Sequence, residues 1–415
     1  MSTDTSSKSL ADSVTVGQNG PGALSVAAII MAVAGGALCI MALASKTGRE
    51  AFGFAYLWGF TFVWVLVLGS LFIVALHHAT GAVWSVVIRR VAEMFAAPMW
   101  IVGIFFIPVL ILCFWHDIPL FKWLHYEEGH DTLASKRAYL NAPFFLVRGV
   151  GFFILWILFA RFFVGKSLAQ DMQKHTESVT AKMRRFAPGF IILFAFTGSF
   201  ASFDWLMSLD PHWFSTVFGV YIFGGMVATA LAAITIMVVW LRSTGRLGQG
   251  VVSNEHLYSL GTLMFAFTCF WAYIWMSQYM LIWYGNMPEE TIYFFKRGMI
   301  GPNWSSPSVW SQVSLLLVVV RFILPFGLLL SRNSKTNPRR LVIASSVILV
   351  GQLVDLYWMI MPEMPAHIPV FQLSTLGPPL LMVGLLILYI SRFIARHRCV
   401  PVGDPLFDRS CKFHL

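Results

Sequence analysis

Two segments of this chain place carboxylates where charge is expensive. Asp204-Trp-Leu-Met-Ser-Leu-Asp-Pro-His-Trp-Phe214 closes one long apolar stretch and Asp355-Leu-Tyr-Trp-Met-Ile-Met-Pro-Glu363 closes another, with a proline seven residues after the first aspartate in each. The last turns of a helix carry partial negative charge, so an acid there inside an apolar environment is disfavoured twice. Such a carboxylate either pairs with a cation or takes up a proton. In the second state it can exchange protons, as a relay member or as the base of a quinone site. Arg148, about six residues into a further apolar stretch, lies at a similar depth. A buried Asp–Arg pair is therefore the structural alternative.

The other candidates divide the same way. His77 and His78 end one apolar stretch close to Glu93 at the start of the next, and they read as a proton entry or as residues marking a helix end. Arg321 lies mid-stretch, where an arginine must face protein or water. Its partner is not evident from sequence. Asp210 precedes Pro211, the signature of an N-cap and first turn, so it is expected to cap the following helix. His212 is then exposed, within reach of a headgroup, a partner or a quinone carbonyl. Glu363, among Pro362, Pro365 and Pro369, is expected in a rigid loop. Trp271, Tyr273, Trp275, Gln278, Tyr279, Trp283 and Tyr284 could line a flat aromatic-ligand site, with Tyr279 as a quinone contact, or pack as ordinary aromatics.

The elements that hold these residues follow from composition. With 58% hydrophobic residues and 12% charged ones in 415, the chain is an all-α polytopic membrane protein and not an ordinary soluble globule. A span needs about 20 apolar residues. Ten stretches qualify, at 22–44, 52–76, 94–114, 142–164, 188–209, 213–241, 257–284, 307–330, 341–361 and 374–394. An even number puts both termini on one side. That side carries 20 of the 29 Lys and Arg residues against 7 on the other, so both termini are expected to be cytoplasmic. The net charge of +10 thus reflects topology and gives no support to nucleic-acid binding.

Residues 1–21 read as a cytoplasmic tail, 22–395 as one membrane domain, and 396–415 as a second cytoplasmic tail. Asp204 and Asp355 are 151 residues and four spans apart, so spans five and nine run in the same direction and finish alike. This predicts two four-helix bundles, about 52–210 and 213–362, with spans one and ten peripheral. Residues 165–186 read as a basic amphipathic helix along the membrane surface, and residues 115–141, with His125, Glu127, Glu128, His130 and Asp131, as a polar loop on the outer face. Trp58, Trp115, Trp123, Trp205, Trp213, Trp283, Trp304, Trp310 and Trp358 fall toward the outer face, against Trp84 and Trp240 at the inner one. That surplus suggests an outer docking surface, or merely larger outer loops.

The sequence carries no cysteine pair with C-x-x-C spacing, no histidine deep within a span, no Walker motif and no nucleophile elbow. No haem, iron–sulfur cluster or metal bound by this chain is expected. The wording of 204–216, of Phe-Trp-Ala-Tyr-Ile-Trp-Met-Ser-Gln-Tyr-Met-Leu-Ile-Trp-Tyr at 270–284, of Pro-Glu-Glu-Thr at 288–291 and of 355–362 resembles the F-subunit family of bacterial alternative complex III. That family is similar to the NrfD or polysulfide-reductase membrane subunits. The resemblance covers spans five to nine well and the first four mainly by topology.

It implies a complex that oxidises membrane quinol and passes electrons through an iron–sulfur B subunit and c-type cytochrome subunits to an acceptor or a terminal oxidase. Quinol oxidation in it is usually assigned to the NrfD-like C subunit. This chain would be a scaffold and a possible proton-conducting element, with Asp204, Asp355, His78, Glu93, Arg148 and Arg321 as path candidates. Two alternatives stay open, a quinol-binding subunit in its own right and a stand-alone proton-coupled transporter.

Overall fold

The computed structural model describes residues 22–113, 120–124, 136–172, 177–300 and 308–414. Trp115, His125, Glu127, Glu128, His130, Asp131, Trp304 and the tail 1–21 lie outside the described residues. The helices are α1 (Gly22–Ala44), α2 (Lys46–Thr80), α3 (Val86–Ala96), α4 (Met99–Cys113), α5 (Ala142–Gln170), α6 (Glu177–Trp205), α7 (Phe218–Ser243), α8 (Asn254–Gly285), α9 (Pro288–Lys296), α10 (Val309–Val318), α11 (Leu324–Leu329), α12 (Arg332–Thr336), α13 (Pro338–Ile360), α14 (Gly377–Arg396) and α15 (Phe407–Cys411). Among the described residues there is no strand, and 10 helical segments are long and apolar enough to cross a membrane. The protein is an all-α polytopic membrane protein.

Local signals account for the helix ends. Ser45 accepts the Gly48 N–H at 3.0 Å to open α2, and Asn141 accepts the Phe144 N–H at 3.0 Å to open α5 with Pro143 in its first turn. Asn337 and Pro338 do the same for α13. Ser253 and His256 form a capping box at α8, in which the imidazole reaches back to the Ser253 N–H at 3.0 Å. Gly81, at φ 62°, stops α2 in the left-handed conformation glycine accepts most easily.

The packing centres on α2, which is buried along nearly its whole length and touches α3, α4, α6, α7, α13 and α14. A first group of helices, α2 to α6, closes around aromatic side chains. Trp205 stacks on Phe153 at 5.7 Å and meets Trp64 edge-on at 5.0 Å. A second group, α7, α8, α10, α11 and α13, packs against the first through α2–α7 and α2–α13 contacts. Helices α1 and α14 pair with each other on the flank of α2. They approach at backbone distance: a Cβ added at Gly35 would stand 2.3 Å from the Leu381 nitrogen, so no larger residue fits there.

Several elements differ from expectation. Among the described residues of 165–186 no separate surface helix occurs: α5 runs on to Gln170 and α6 already begins at Glu177, so both segments extend spanning helices. Good helix formers on either side outweighed the reading of the basic residues as a surface stripe. The third span is broken at Ala97 and Pro98, where proline ends α3, and the eighth passes through a π-helical turn at Val319–Ile323 that carries Arg321. The segment after α14 is no loose tail. Cys399, Val400, Asp404, Phe407 and Ser410 are buried against the ends of α3, α5 and α8.

Candidate charged sites at the two ends of the bundles

We call the face where α2 ends and α14 ends the proximal face and the opposite one distal. At the distal end of the first bundle Asp204, in the last turn of α6, is fully buried. Arg148 on α5 grips it with two parallel bonds, Nε to Oδ2 at 2.8 Å and Nη2 to Oδ1 at 2.9 Å. This fork geometry is the strongest carboxylate–guanidinium arrangement. The remaining Arg148 nitrogen donates to the Tyr139 carbonyl at 3.0 Å, and the guanidinium lies 3.9 Å from the Tyr139 ring centre and 4.1 Å from that of Phe144. The expected similarity of depth has become a direct pair.

Asp355, on α13, sits in a different setting. It accepts hydrogen bonds from the Tyr221 hydroxyl on α7 and from Trp271 Nε1 on α8 at 3.1 Å. Arg321 faces it with Nε 3.8 Å from Oδ2, too long for a hydrogen bond but close enough for charge attraction. The Arg321 guanidinium donates instead to Gln352 Oε1 and to the Ile348 carbonyl at 3.1 Å. Thr229 also donates to Gln352 Oε1, at 3.1 Å. Arg321 therefore has a partner set that the sequence left unnamed. Gly225 makes room for it, since a Cβ there would stand 2.7 Å from Gln352 Oε1.

Asp210 does not cap the next helix. That helix, α7, starts only at Phe218, and Asp210 turns inward to accept the Lys296 ammonium at 2.5 Å while also accepting the His212 N–H at 3.3 Å. The gain of a charge-assisted bond with a partner 86 residues away outweighs the local Asp-Pro preference. Burial alone would raise the Asp210 carboxyl, but Lys296 outweighs it and holds it below its ordinary value. Lys296 is itself raised by Glu363 and Asp210 in spite of burial. Lys296 also reaches Glu363 Oε2 at 3.1 Å, which Lys122 contacts at 3.1 Å, and Arg297 approaches the other oxygen, Oε1, at 3.8 Å. Glu363 is thus a buried member of a charge network, in a 3₁₀ turn and not in an open loop.

The proximal end gathers a second network. Glu93, fully buried on α3, faces Arg90 Nε at 3.2 Å and Arg89 Nε at 3.5 Å. Arg89 continues to Asp404 beyond α14, and Arg90 to Asp171 at 2.7 Å just after α5. Burial raises the Asp171 carboxyl against the pull of Arg90 and of the Gly403 N–H. His77 and His78 are buried as well, beside the ring of Trp84 at 5.5 Å and stacked on Phe163 at 5.6 Å. They do mark the end of α2, but from the inside. No hydrogen bond from either to Glu93 occurs among the described residues.

His212 is exposed in the turn before α7. Tyr279 forms a ladder with Trp271 and Trp275 along α8, and its hydroxyl donates to the Met299 carbonyl at 3.2 Å. Tyr273 and Tyr284 face outward. Of the distal tryptophans, Trp58, Trp123, Trp205, Trp213 and Trp358 are buried, which makes that surplus mainly core packing and not a docking surface. Sequence reasoning missed Tyr221, Lys296, Arg297 and Asp404. Gln352 had a visible signal, a polar residue three positions before Asp355 on the same helix face. No family model matches this chain, and no curated protein is significantly similar to it.

Proposed function

We propose that this chain is the cofactor-free integral membrane subunit of a quinol-oxidising electron-transfer complex of the alternative complex III type, with both termini cytoplasmic in a bacterial inner membrane. It serves as scaffold and as a proton-conducting element beside an NrfD-like C subunit, an iron–sulfur B subunit and c-type cytochrome subunits. Quinol, haem c and iron–sulfur clusters belong to those partners. The reading rests on the four sequence segments that resemble the F-subunit family.

One observation carries the proton role. From Asp355 a line of buried polar groups descends through Arg321, Gln352 and Thr229. Thr235 and Ser345 follow further toward the proximal face, both against the Met264 sulfur. In the first bundle, by contrast, Trp64, Trp156, Trp205 and Phe153 fill the space below Asp204. Asp355 is thus the working carboxylate and Asp204 the structural one. The π-helical turn at Arg321 favours a second reading, a proton-coupled transporter, because such turns mark functional distortions of a helix.

The test has two parts. Purification should yield haem c subunits with this chain, whereas a colourless monomer that binds a solute would overturn the complex. In liposomes carrying the complex, Asp355→Asn should lower the proton-to-electron stoichiometry while Asp204→Asn leaves it. Unchanged stoichiometry and quinol turnover in both would leave structural pairing only.

A further inference from the structure

A groove of 490 Å³ opens on the proximal side between α4 and α14. Its floor and walls are apolar, from Ile101, Ile104, Leu385 and Leu388, and its rim holds Arg392, Arg396 and His397. Arg392 and Arg396 are one helical turn apart on one face of α14, both exposed, and neither has an ion-pair or hydrogen-bond partner among the described residues. Arg89 and Arg90, within the proximal charge network, are by contrast committed to carboxylates. Trp100 and Tyr389 meet edge-on at 6.2 Å within the same groove, the residue types that settle at headgroup level.

Two uncompensated guanidinium groups above an apolar slot ask for a ligand with an anionic head and hydrocarbon chains. We infer that this groove binds one anionic phospholipid of the proximal leaflet, its phosphate held between Arg392 and Arg396 and its acyl chains along Ile101, Ile104, Leu385 and Leu388. Arginine suits the role because its planar fork takes two phosphate oxygens at once. The placement of the pair in the last turns of α14 adds to this, since the long side chains reach the interface while their stems stay in the apolar region. A zwitterionic lipid would bring its own cation to the same guanidinium groups and lose the advantage. The inference does not depend on the function proposed above.

The experiment is native mass spectrometry of the delipidated full chain titrated with phosphatidylglycerol or phosphatidylcholine. Wild-type protein should retain one phosphatidylglycerol in preference to phosphatidylcholine, and Arg392→Gln/Arg396→Gln should weaken it on the order of tenfold. The Arg392→Lys/Arg396→Lys variant should keep part of the preference. Arg339→Gln/Arg340→Gln, which removes two exposed charges elsewhere on the proximal face, should keep all of it. Equal retention of both lipids by wild type, or loss to the same extent in the Arg339/Arg340 variant, would overturn the site. Competition by inorganic phosphate as effective as by the lipid would overturn the lipid assignment too.

Discussion

Lys296 stands 2.5 Å from Asp210, and through this contact the end of the fifth span is tied to the connection between the seventh and eighth. The same ammonium reaches Glu363 at the end of the ninth span. The two similar sequence endings therefore meet at one cation.

Replacing Lys296 by Met should destabilise the protein by about 2 kcal/mol, a figure reduced for the partial exposure of the ammonium. Asp210 is held below its ordinary value of 3.8, so its contribution is present above that value and is lost as pH falls through the lower folded value. Lys296 is raised above 10.5, so its contribution is present below that value and is lost only as pH rises beyond it. Thermal unfolding in detergent should show the difference between wild type and Lys296→Met to be constant from pH 5 to 9 and to shrink in acid below about pH 4. A difference that shrinks already at pH 6 would contradict this assignment.

Arg148→Met should be more damaging than Arg148→Met combined with Asp204→Leu. The single change strands a buried carboxylate, at about 3–5 kcal/mol, while the double change replaces the pair by apolar volume. Denaturation midpoints of the two variants decide it. Equal losses would mean that packing of the arginine stem, and not charge, holds the site.

Asp404→Ala should loosen the segment that follows α14. Cys399 is buried within that segment, and burial pushes its thiol up to about 11, so native protein should label slowly with a maleimide at pH 7.5. The variant should label at least about tenfold faster, since a released thiol near 8.5 carries far more thiolate. Equal rates would show that Arg89 and Asp404 do not secure the segment.

Gly35→Val should separate α1 from α14 without unfolding the remainder, because the clash is with backbone and α1 is otherwise largely exposed. Hydrogen exchange should rise throughout 22–44 and stay unchanged in α2 and α7. Uniform acceleration would instead place α1 within the cooperative core.

Hydropathy made the ten spans legible, because a spanning helix must be apolar over its whole length. A buried Asp–Arg pair involving Arg148 was legible too, from similar depth, though not that Asp204 and not Asp355 would be its partner. Arg321 was not: its partners Gln352 and Ile348 lie on the following span, and nothing in a linear pattern says which helix faces which. Asp210 misled because a local turn preference of about 1 kcal/mol was set against a long-range ion pair that sequence cannot show. The segment 399–411 gave no periodic signal, being too short and too sparsely apolar, yet it buries Val400 and Phe407.

That segment also fixes an order of events. Arg89 and its acceptor Asp404 are 315 residues apart, so when α3 first enters the bilayer its arginines and Glu93 have only each other. The Arg89–Asp404 contact can form only once the ribosome has delivered all ten spans. Closure by Asp404 is then a late event: a chain interrupted before residue 404 leaves Arg89 with Glu93 alone, a carboxylate it shares with Arg90.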